Sequence, residues 1–491
     1  NSMVNKRINQ LIKYGFKHNL LEEDDKYYAV NRILKLLKLN VFTWEEVKEE
    51  KFSIIMNDII DYSVKNNIIN RDTTTERDAF EAMIVDCIMP RPSELNRIFK
   101  KHYKKAPRYA TDFFHEFSKA TNYIKVDRIS KNINYKYKGK YADLVLAINL
   151  SKPEKDPLDI KKQSKDNSNY PVCPLCMENI GVYQTSTLAP RTNHRVISIS
   201  LDNEKDAWGF QYSPYAYFNE HIIVLRKEHS KMYVNEKTFS ELIDFINKFP
   251  HYMIGSNAGL PIVGGSILSH HHFQGGRFDF PIENAKVIQK YKKNRVQIEV
   301  LDWPMATIRF SGNNENRLLD MINQVYRFWK NYSNEDIKIY AKTKEDHNTI
   351  TPIVKLDGSK FNFYMVLRNN YSNDNYPYGL FHTSPERFHI KKENIGLIEV
   401  MGMAILPGRL LTEIELIKQV INKKIKIEDN ELLTKHKLWI DKLLSDNISG
   451  NIEEYIKNDI GRIFENILED ANVFKYGNNK DLLNFVEKAI Y

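Results

Sequence analysis

Cysteine is scarce in this sequence, and long apolar segments are missing from it. Its three cysteines are Cys87, Cys173 and Cys176, and a low, odd count does not suggest a disulfide framework. No apolar run approaches the roughly 20 residues that cross a bilayer, so we expect no membrane partner. The N-terminal stretch NSMVNKRINQLIKYG lacks the apolar core of a signal peptide. A cytoplasmic protein is therefore expected.

A basic stripe interleaved with aromatic residues is also missing, although the formal net charge is +9. Lysine and arginine are mixed with acidic residues in stretches such as KEEKF, NEKTF and KKENIG. Proteins that bind nucleic acid usually concentrate their positive charge on one face. We therefore expect no nucleic-acid partner, and the mild positive charge would instead steer a smaller anion. The 491 residues are enough for two or three packed units.

The most distinctive chemistry lies in residues 255–276, GSNAGLPIVGGSILSHHHFQGG. An apolar run leads into three adjacent histidines and a glutamine, with glycine pairs on both sides. We predict a strand over 262–274, on which side chains alternate between the two faces. His270, His272 and Gln274 would then share one face, where two imidazoles and an amide can form a nucleophile with its supports. Three adjacent histidines alone are more often a polar surface patch, but the ordered pattern favours a functional site.

A second constellation combines two cysteines with histidines that are distant in the chain. Cys173 and Cys176 form a Cys-x-x-Cys turn that supplies two thiolates, and His229 and His270 would complete a tetrahedral zinc site. His221 is the rival of His229 as a ligand. The alternative is a pair of reduced thiols at an ordinary turn. A closed site with four protein ligands would be structural rather than catalytic.

The periodicity of apolar residues gives a coarse order of elements. Residues 3–120 have mostly helical spacing, which includes a predicted helix over 43–64, TWEEVKEEKFSIIMNDIIDYSV. The stretches RVISISL, FQYSPYAYF and HIIVLRKEH predict successive strands with short turns. KTFSELIDFINKF predicts an amphipathic helix, and residues 431–491 are again helical.

The histidine motif and several other strings carry a family resemblance. The run His270-His271-His272-Phe273-Gln274 resembles the His-x-His-x-Gln signature of the transferase branch of the histidine-triad superfamily. The wider string PIVGGSILSHHHFQGG is similar to the second, mainly bacterial class of UDP-glucose–hexose-1-phosphate uridylyltransferases. The similarity continues through SKPEKDP, CPLCMEN, QYSPYAYFNEH, HNTITPI, VLRNN and HIKKENIGLIEVMGMAILPGRL. It therefore covers nearly the whole chain.

The resemblance implies an α+β fold. We expect histidine-triad-like antiparallel sheets in two related units, with helical layers at the N- and C-termini. The expected divisions are a helical N-terminal region over 3–120, a catalytic unit with the Cys-x-x-Cys turn over 121–310, a second sheet-plus-helix unit over 311–430, and a C-terminal helical region over 431–491.

The resemblance also implies the reaction. A uridylyltransferase of galactose metabolism would move UMP from UDP-glucose to galactose 1-phosphate by a ping-pong mechanism through a uridylyl-histidine, with no organic cofactor. His272 matches the second histidine of the motif and is the expected nucleophile. A neutral imidazole suits this role because a negatively charged phosphate repels anionic oxygen nucleophiles. Gln274 would donate its amide to a nonbridging phosphate oxygen.

Candidate substrate-binding residues are spread along the chain. They are Arg191, Asn193, Arg195, Asn257, Gly264, Gly265, Ser266, Arg368, Lys391 and Lys392. Arginine can fork onto a phosphate or stack on uracil, and the glycines with Ser266 could offer NH and hydroxyl donors to the diphosphate. Each group also has a structural explanation. The glycines could form a β-bulge, Arg191 could lie in a surface turn, and Arg368, Lys391 and Lys392 could have solvated or capping roles. Thr383 and Ser384 stand where the family often has Pro-His, which puts the hexose preference in doubt.

Two other functions compete with a hexose-1-phosphate uridylyltransferase. A dinucleoside polyphosphate phosphorylase, or another histidine-triad nucleotidyltransferase, can share the motif. A zinc-stabilised RNA-binding protein would explain the Cys-x-x-Cys turn and the positive charge, and it predicts salt-dependent affinity for polynucleotides. The resemblance favours the uridylyltransferase, whose partners would be UDP-glucose, UDP-galactose and hexose 1-phosphates. It also implies a homodimer.

Overall fold

The computed structural model describes residues 2–150, 170–183 and 190–491. The chain divides into two compact units. The first comprises Asn1–Ser130, Ser151–Ala216 and Ile222–His229, and the second comprises Lys131–Leu150, Tyr217–His221 and Ser230–Tyr491. The string SKPEKDP, which contributes to the family resemblance, lies outside the described residues.

Helices occur in both units. In chain order they are Ser2–Lys17 (α1), Lys26–Leu36 (α2), Phe52–Lys65 (α3), Thr74–Asp86 (α4), Pro92–Lys105 (α5), Pro107–Ala120 (α6), Val126–Ile129 (α7), Glu236–Lys248 (α8), Glu315–Lys330 (α9), Leu397–Val400 (α10), Arg409–Ile421 (α11), Lys437–Ser445 (α12), Ile452–Asp470 (α13) and Asn479–Ile490 (α14). None of the helices in the described ranges combines the length and apolar composition that a bilayer crossing would need.

Strands likewise occur in both units. They are Ile133–Lys138 (β1), Asp143–Asn149 (β2), Ile197–Leu201 (β3), Glu204–Tyr212 (β4), Ile222–Arg226 (β5), Met253–Gly255 (β6), His272–Gly276 (β7), Lys286–Lys293 (β8), Val296–Asp302 (β9), Thr307–Gly312 (β10), Asn348–Asp357 (β11), Lys360–Asn369 (β12) and Met403–Pro407 (β13). Within the first unit, β3, β4 and β5 are antiparallel neighbours.

The second unit contains two sets of paired strands. Its larger set runs in the order β7-β6-β11-β12-β10-β9-β8, and every neighbouring pair is antiparallel. Its smaller set is β1-β2-β13, in which β13 runs parallel to β2. Mixed helices with antiparallel sheets confirm the predicted α+β class.

Apolar packing in the second unit places a helix against the strands that matter for the site. Helix α8 packs on β6 and β11 and buries Phe239, Leu242 and Phe245 completely. Its N-cap is Asn235, whose side chain accepts hydrogen bonds from the backbone NH groups of the first turn. The amphipathic helix predicted from KTFSELIDFINKF is therefore confirmed, and its apolar face supports the strand next to β7.

The predicted helix over 43–64 is wrong over residues 43–51, because α3 begins only at Phe52. The preceding residues have no regular secondary structure, and polar side chains of α1 bind their carbonyls. Asn9 Nδ2 donates to the Thr43 oxygen at 2.9 Å, and Gln10 Nε2 donates to the Lys48 oxygen at 3.0 Å. The stretch EEVKEE has little apolar surface to bury, so these contacts replace helical hydrogen bonds.

The predicted strand over 262–274 is also wrong for most of its length, because β7 begins at His272. The apolar residues before it form turns, and the Gly264 NH donates to the Leu260 carbonyl at 2.7 Å. Ile262 has a φ of 75°, which no strand residue adopts. A short apolar run does not distinguish a strand from a buried turn, and here the turn forms.

Candidate active site

The motif strand β7 pairs antiparallel with β6, so that Gln274 lies opposite Gly255 and Gly275 opposite Ile254. Alternation along β7 places His272 and Gln274 on one face, while the fully buried Phe273 points to the other. His270 precedes the strand, and strand alternation therefore does not fix its direction. The two residues expected to carry the chemistry do share a face.

The ring of His272 is held in one tautomer. Its Nδ1 lies 2.7 Å from the backbone oxygen of His270, and because a carbonyl can only accept, Nδ1 carries the proton. Nε2 then bears the lone pair, and no partner for it occurs among the described residues. Burial lowers the pKa of His272 to about 4, so the ring is neutral at pH 7. A neutral imidazole with an unengaged lone pair is what a nitrogen nucleophile requires.

The amide of Gln274 is also held from one side. Its Oε1 lies 2.9 Å from Nε2 of His221, and an amide oxygen can only accept. His221 therefore donates, and the NH2 group of Gln274 is left to donate elsewhere. The side chain of Gln274 is partly exposed, so a ligand can reach it.

The first glycine pair of the motif is required by close packing in the turn before β7. A Cβ on Gly264 would lie 2.6 Å from the Leu260 oxygen, and a Cβ on Gly265 would lie 2.6 Å from Nδ2 of Asn257. The Oδ1 of Asn257 accepts from the backbone NH of Leu397 at 2.9 Å. Asn257 thus ties this turn to the start of α10. Ser266 is exposed and its hydroxyl is accessible.

The candidates Arg191, Asn193 and Arg195 lie in the first unit and differ in how fully they are engaged. Arg195 donates to the Asp86 carboxylate at 2.6 Å and to three backbone oxygens, which uses all its nitrogens. Arg191 donates to the hydroxyl of Tyr123 at 2.9 Å, but its buried Nε has no partner among the described residues. The buried Oδ1 of Asn193 likewise has no hydrogen-bond partner among the described residues. Arg191 and Asn193 therefore retain capacity to bind a ligand.

The candidates in the second unit, Arg368, Lys391 and Lys392, lie at different depths. Arg368 is 1% exposed and donates to the Ile395 oxygen at 3.1 Å, and burial lowers its pKa to about 10. Lys391 is buried too and pairs with Glu399 at 2.8 Å. Lys392 is exposed, with its ammonium 5.3 Å from the ring centre of Tyr378. Lys392 is therefore the most accessible of the three cations.

Thr383 and Ser384 replace the usual Pro-His pair. Both Thr383 Oγ1 and Nε2 of the neighbouring His382 are buried without a partner among the described residues. The Ser384 NH donates to Asp470 at 3.0 Å. The local polarity is therefore retained, although the second histidine is missing.

The predicted metal ligands come together. Sγ of Cys173 lies 3.5 Å from Sγ of Cys176, which lies 3.3 Å from Nδ1 of His229. The ligand atoms of Cys173, Cys176, His229 and His270 all lie within 4.8 Å of one another. A tetrahedral zinc ion with bonds of about 2.3 Å to sulfur and about 2.0 Å to nitrogen would separate its ligands by about 3.3–3.8 Å. The four residues fit such an ion, and the cluster could bind a metal.

Two local features support this metal cluster. Nδ2 of Asn179 donates to the carbonyls of both Cys173 and Cys176, at 2.8 and 2.9 Å, and so fixes the Cys-x-x-Cys turn. Burial raises the pKa of the Cys176 thiol to about 12, so a cation would be needed to hold it as a thiolate. His221, the rival ligand, instead binds Gln274.

A buried network beside the motif was not predicted. The ring of His271 stacks on Tyr233 with 3.7 Å between ring centres, and Nε2 of His271 lies 3.5 Å from Glu241. The Tyr233 hydroxyl donates to Glu241, with 3.0 and 3.1 Å to its two oxygens. Glu241 and His271 are fully buried. The only sequence signal for this network was Glu241, an acidic residue on the mostly apolar face of α8.

Fold and site together define the class of this protein: an α+β protein with a neutral histidine and a glutamine on one antiparallel strand. Residues 19–233 match the model of the N-terminal domain of galactose-1-phosphate uridyl transferase, and residues 241–441 match that of its C-terminal domain. The chain belongs to the galactose-1-phosphate uridylyltransferase family.

Curated relatives match over nearly the full length. The galactose-1-phosphate uridylyltransferase of Clostridium acetobutylicum is 45% identical over 484 residues, covering 96% of this chain and 97% of that protein. The enzymes of Fusobacterium nucleatum and Caldanaerobacter subterraneus are 44% and 43% identical, each covering 95% of this chain and 95% and 94% of their own. The structure of yeast Ap4A phosphorylase Apa2 is 13% identical with a TM-score of 0.33, covering 68% of this chain and 96% of that chain.

Proposed function

We propose that this chain transfers a uridylyl group from UDP-glucose to galactose 1-phosphate, giving UDP-galactose and glucose 1-phosphate. The observation that carries the proposal is the ring of His272, whose Nδ1 donates to the His270 oxygen and whose Nε2 keeps its lone pair. The names of relatives that match 95–96% of the chain support the same substrates.

The first half-reaction forms a bond between Nε2 of His272 and the α-phosphorus of UDP-glucose. The bond from that phosphorus to the bridging oxygen breaks, and its electron pair leaves with glucose 1-phosphate. The imidazole becomes cationic, and the hydrogen bond from Nδ1 to the His270 oxygen strengthens as that charge develops. The second half-reaction reverses these steps with galactose 1-phosphate as the incoming nucleophile.

Gln274 stabilises the reacting phosphate as a hydrogen-bond donor. Its NH2 group is free to bind a nonbridging oxygen because His221 occupies the amide oxygen. A glutamine cannot transfer a proton, and a departing sugar phosphate does not require one because its phosphate is already a stable anion. The motif therefore suits transfer between sugar phosphates.

The remaining candidates bind the rest of the substrates in this proposal. Arg191 and Asn193 have unengaged buried atoms suited to the uracil edge or a phosphate, and Arg195 holds their loop in place. The second sugar phosphate would be bound by the cationic candidates of the second unit, chiefly the exposed Lys392, together with the buried Arg368 and Lys391. The diphosphate and ribose would be contacted by Asn257, Gly264, Gly265 and Ser266.

Intact mass measurement after exposure to UDP-glucose alone tests the proposal. We expect the mass of one uridylyl group to be added to the wild-type chain and not to His272→Ala. His18→Ala, which removes a histidine of the first unit, should be labelled like wild type. Reaction with diadenosine tetraphosphate and phosphate, without any UDP-galactose formed from UDP-glucose and galactose 1-phosphate, would overturn the proposal in favour of a dinucleoside polyphosphate phosphorylase.

We further propose that Cys173, Cys176, His229 and His270 hold one structural zinc ion. Two thiolates and two imidazoles are a preferred zinc ligand set, and four protein ligands leave no position for substrate. The bound ion would supply rigidity rather than chemistry. Metal analysis should find about one zinc per chain in wild type and in Cys87→Ser, but a reduced content in Cys176→Ser. Wild-type protein that folds and is active without zinc would refute this assignment.

We also propose an oligomeric state and a cellular location for this protein. Membership of the family favours a homodimer acting in the cytoplasm, with no nucleic-acid partner. Light scattering should give twice the mass of one chain, and a polynucleotide should not bind at physiological salt. A monomer in solution would refute the first expectation, and salt-dependent binding would refute the last.

A further inference from the structure

We propose that His221 is a positioning residue that sets the orientation of the Gln274 amide, so that its NH2 group, not its oxygen, meets the substrate phosphate. The inference rests on the proposed role of Gln274 in uridylyl transfer. His221 would not touch the substrate in this proposal. It would act only through the amide.

The imidazole of His221 is fixed in place by its surroundings. The residue is 2% exposed, and its ring stacks on Phe218 with 4.4 Å between centres and 29° between planes. Tyr217 lies 5.6 Å away at a similar tilt, and the backbone NH of His221 donates to the Phe218 oxygen at 3.2 Å. With rings packed against it, the imidazole cannot turn away from the 2.9 Å contact with Gln274.

Two arrangements of protons fit that contact. In the first, Nε2–H of His221 donates to the oxygen of Gln274, and Nδ1 has a lone pair. In the second, the amide is turned by 180°, its NH2 donates to Nε2, and Nδ1 of His221 carries the proton. Nδ1 is buried and has no hydrogen-bond partner among the described residues.

The unpartnered Nδ1 decides between the two arrangements. The first leaves only a lone pair unsatisfied, whereas the second would leave a buried N–H without an acceptor, which is the less favourable and rarer outcome in native proteins. Burial also lowers the pKa of His221, so the ring is neutral and carries one proton for its two nitrogens. That proton therefore lies on Nε2, and the amide of Gln274 is oriented with its oxygen inward.

This orientation matters because the two ends of an amide have opposite effects on an anion. An NH2 group stabilises a phosphate oxygen, while an amide oxygen in the same place repels it. A glutamine without a fixed neighbour would populate both orientations. A neutral donor on one side of the amide therefore makes Gln274 act as a donor on the other.

Two substitutions of His221 separate the hydrogen bond from the packing. His221→Phe keeps an aromatic ring beside Phe218 but has no donor, whereas His221→Gln keeps an NH2 group that can reach the same oxygen. Single-turnover uridylylation by UDP-glucose should be about 10- to 100-fold slower in His221→Phe, with a smaller change in KM, and partly restored in His221→Gln. Equal rates in wild type and a folded His221→Phe would overturn the proposal.

A kinetic cycle with Gln274→Ala tests whether His221 acts through the amide. In the Gln274→Ala background, His221→Phe should cause no further loss, because the group that it orients is gone. A merely structural residue would slow both backgrounds by the same factor, and that result would overturn the proposal. If His221→Phe does not fold, the comparison of His221→Gln in the two backgrounds decides by the same criterion. Absence of a uridylyl adduct in the wild type would instead refute the proposed function itself.

Discussion

Replacing Gly275 with alanine should damage both stability and catalysis. Gly275 lies in β7, opposite Ile254 of β6, and its strand neighbours carry the proposed nucleophile and donor. An added Cβ would stand 2.1 Å from the Met253 carbonyl oxygen and 2.9 Å from Cδ1 of Ile254. Carbon and oxygen atoms normally stay about 3.3 Å apart, so the two strands would have to separate by about 1 Å.

The size of the effect follows from that displacement. Overpacking a well-ordered interior typically costs about 1–3 kcal/mol, and contact with a backbone oxygen belongs at the upper end. A shift of about 1 Å in the strand that carries His272 is expected to slow uridylyl transfer about 100-fold. Urea unfolding would measure the first effect, and formation of UDP-galactose from UDP-glucose and galactose 1-phosphate would measure the second.

Gly312→Ala is the matched control, because it changes a strand glycine that has room. Its added Cβ would have its nearest neighbour, the Arg295 oxygen, at an ordinary 3.7 Å. We expect its unfolding free energy to change by no more than about 0.5 kcal/mol and its rate of UDP-galactose formation to be unaltered. If Gly275→Ala is as stable and as active as Gly312→Ala, the argument from close strand approach is refuted.

Three further predictions follow from buried groups. Tyr233→Phe removes a donor to the fully buried Glu241 and should lower the unfolding free energy by about 1.5–3 kcal/mol in urea; a loss below about 0.5 kcal/mol would contradict this. His221 has a folded pKa of about 4, below its usual value near 6.5, so the unfolded chain binds the proton first and stability falls as pH drops from 6.5 towards 4. Between pH 7 and 5 the wild type should lose about 2 kcal/mol more than His221→Phe, and equal losses would refute the neutral ring. Chelation should lower the thermal midpoint of the wild type but not that of Cys176→Ser, and equal responses would refute metal binding by this cluster.

The sequence predicted the parts of the site that depend on local spacing. His272 and Gln274 are two residues apart, and strand alternation alone places them on one face. Cys173 and Cys176 likewise form one turn whatever surrounds them. The α+β class followed from alternating and helical periods and from the family resemblance.

Parts that depend on tertiary contacts could not be predicted. His221 and His229 were rivals for the metal because neither has a local signal that distinguishes it. The structure distinguishes them by their contacts, because His221 binds Gln274 whereas His229 lies beside Cys176. His221 is 53 residues from Gln274 in sequence, and no periodicity relates positions so far apart. Arg195 was a ligand candidate by residue type, but Asp86 and three backbone oxygens engage it.

The apolar run before the histidines failed as a strand for a physical reason that also explains its glycines. Val263 is 1% exposed, but Ile262 and Leu268 are only partly buried, and an apolar composition alone does not select between a strand and a turn. Gly264 and Gly265 permit the turn because a Cβ at either position would meet a neighbour at 2.6 Å. The same shortage of space recurs at Gly275 in β7. Both glycine pairs of the motif therefore contribute close backbone packing.

The side chains of His272 and Gln274 in β7 are oriented by different parts of the chain. The tautomer of His272 is set by a backbone oxygen two residues earlier, so any chain that forms this turn supplies it. The amide of Gln274 is set by a side chain from a distant segment, and that contact requires the tertiary fold. Loss of His221 should therefore leave the nucleophile competent and weaken only the donor, whereas loss of the turn before β7 should disable the nucleophile first. The two defects are distinguishable because the first slows adduct formation and the second prevents it.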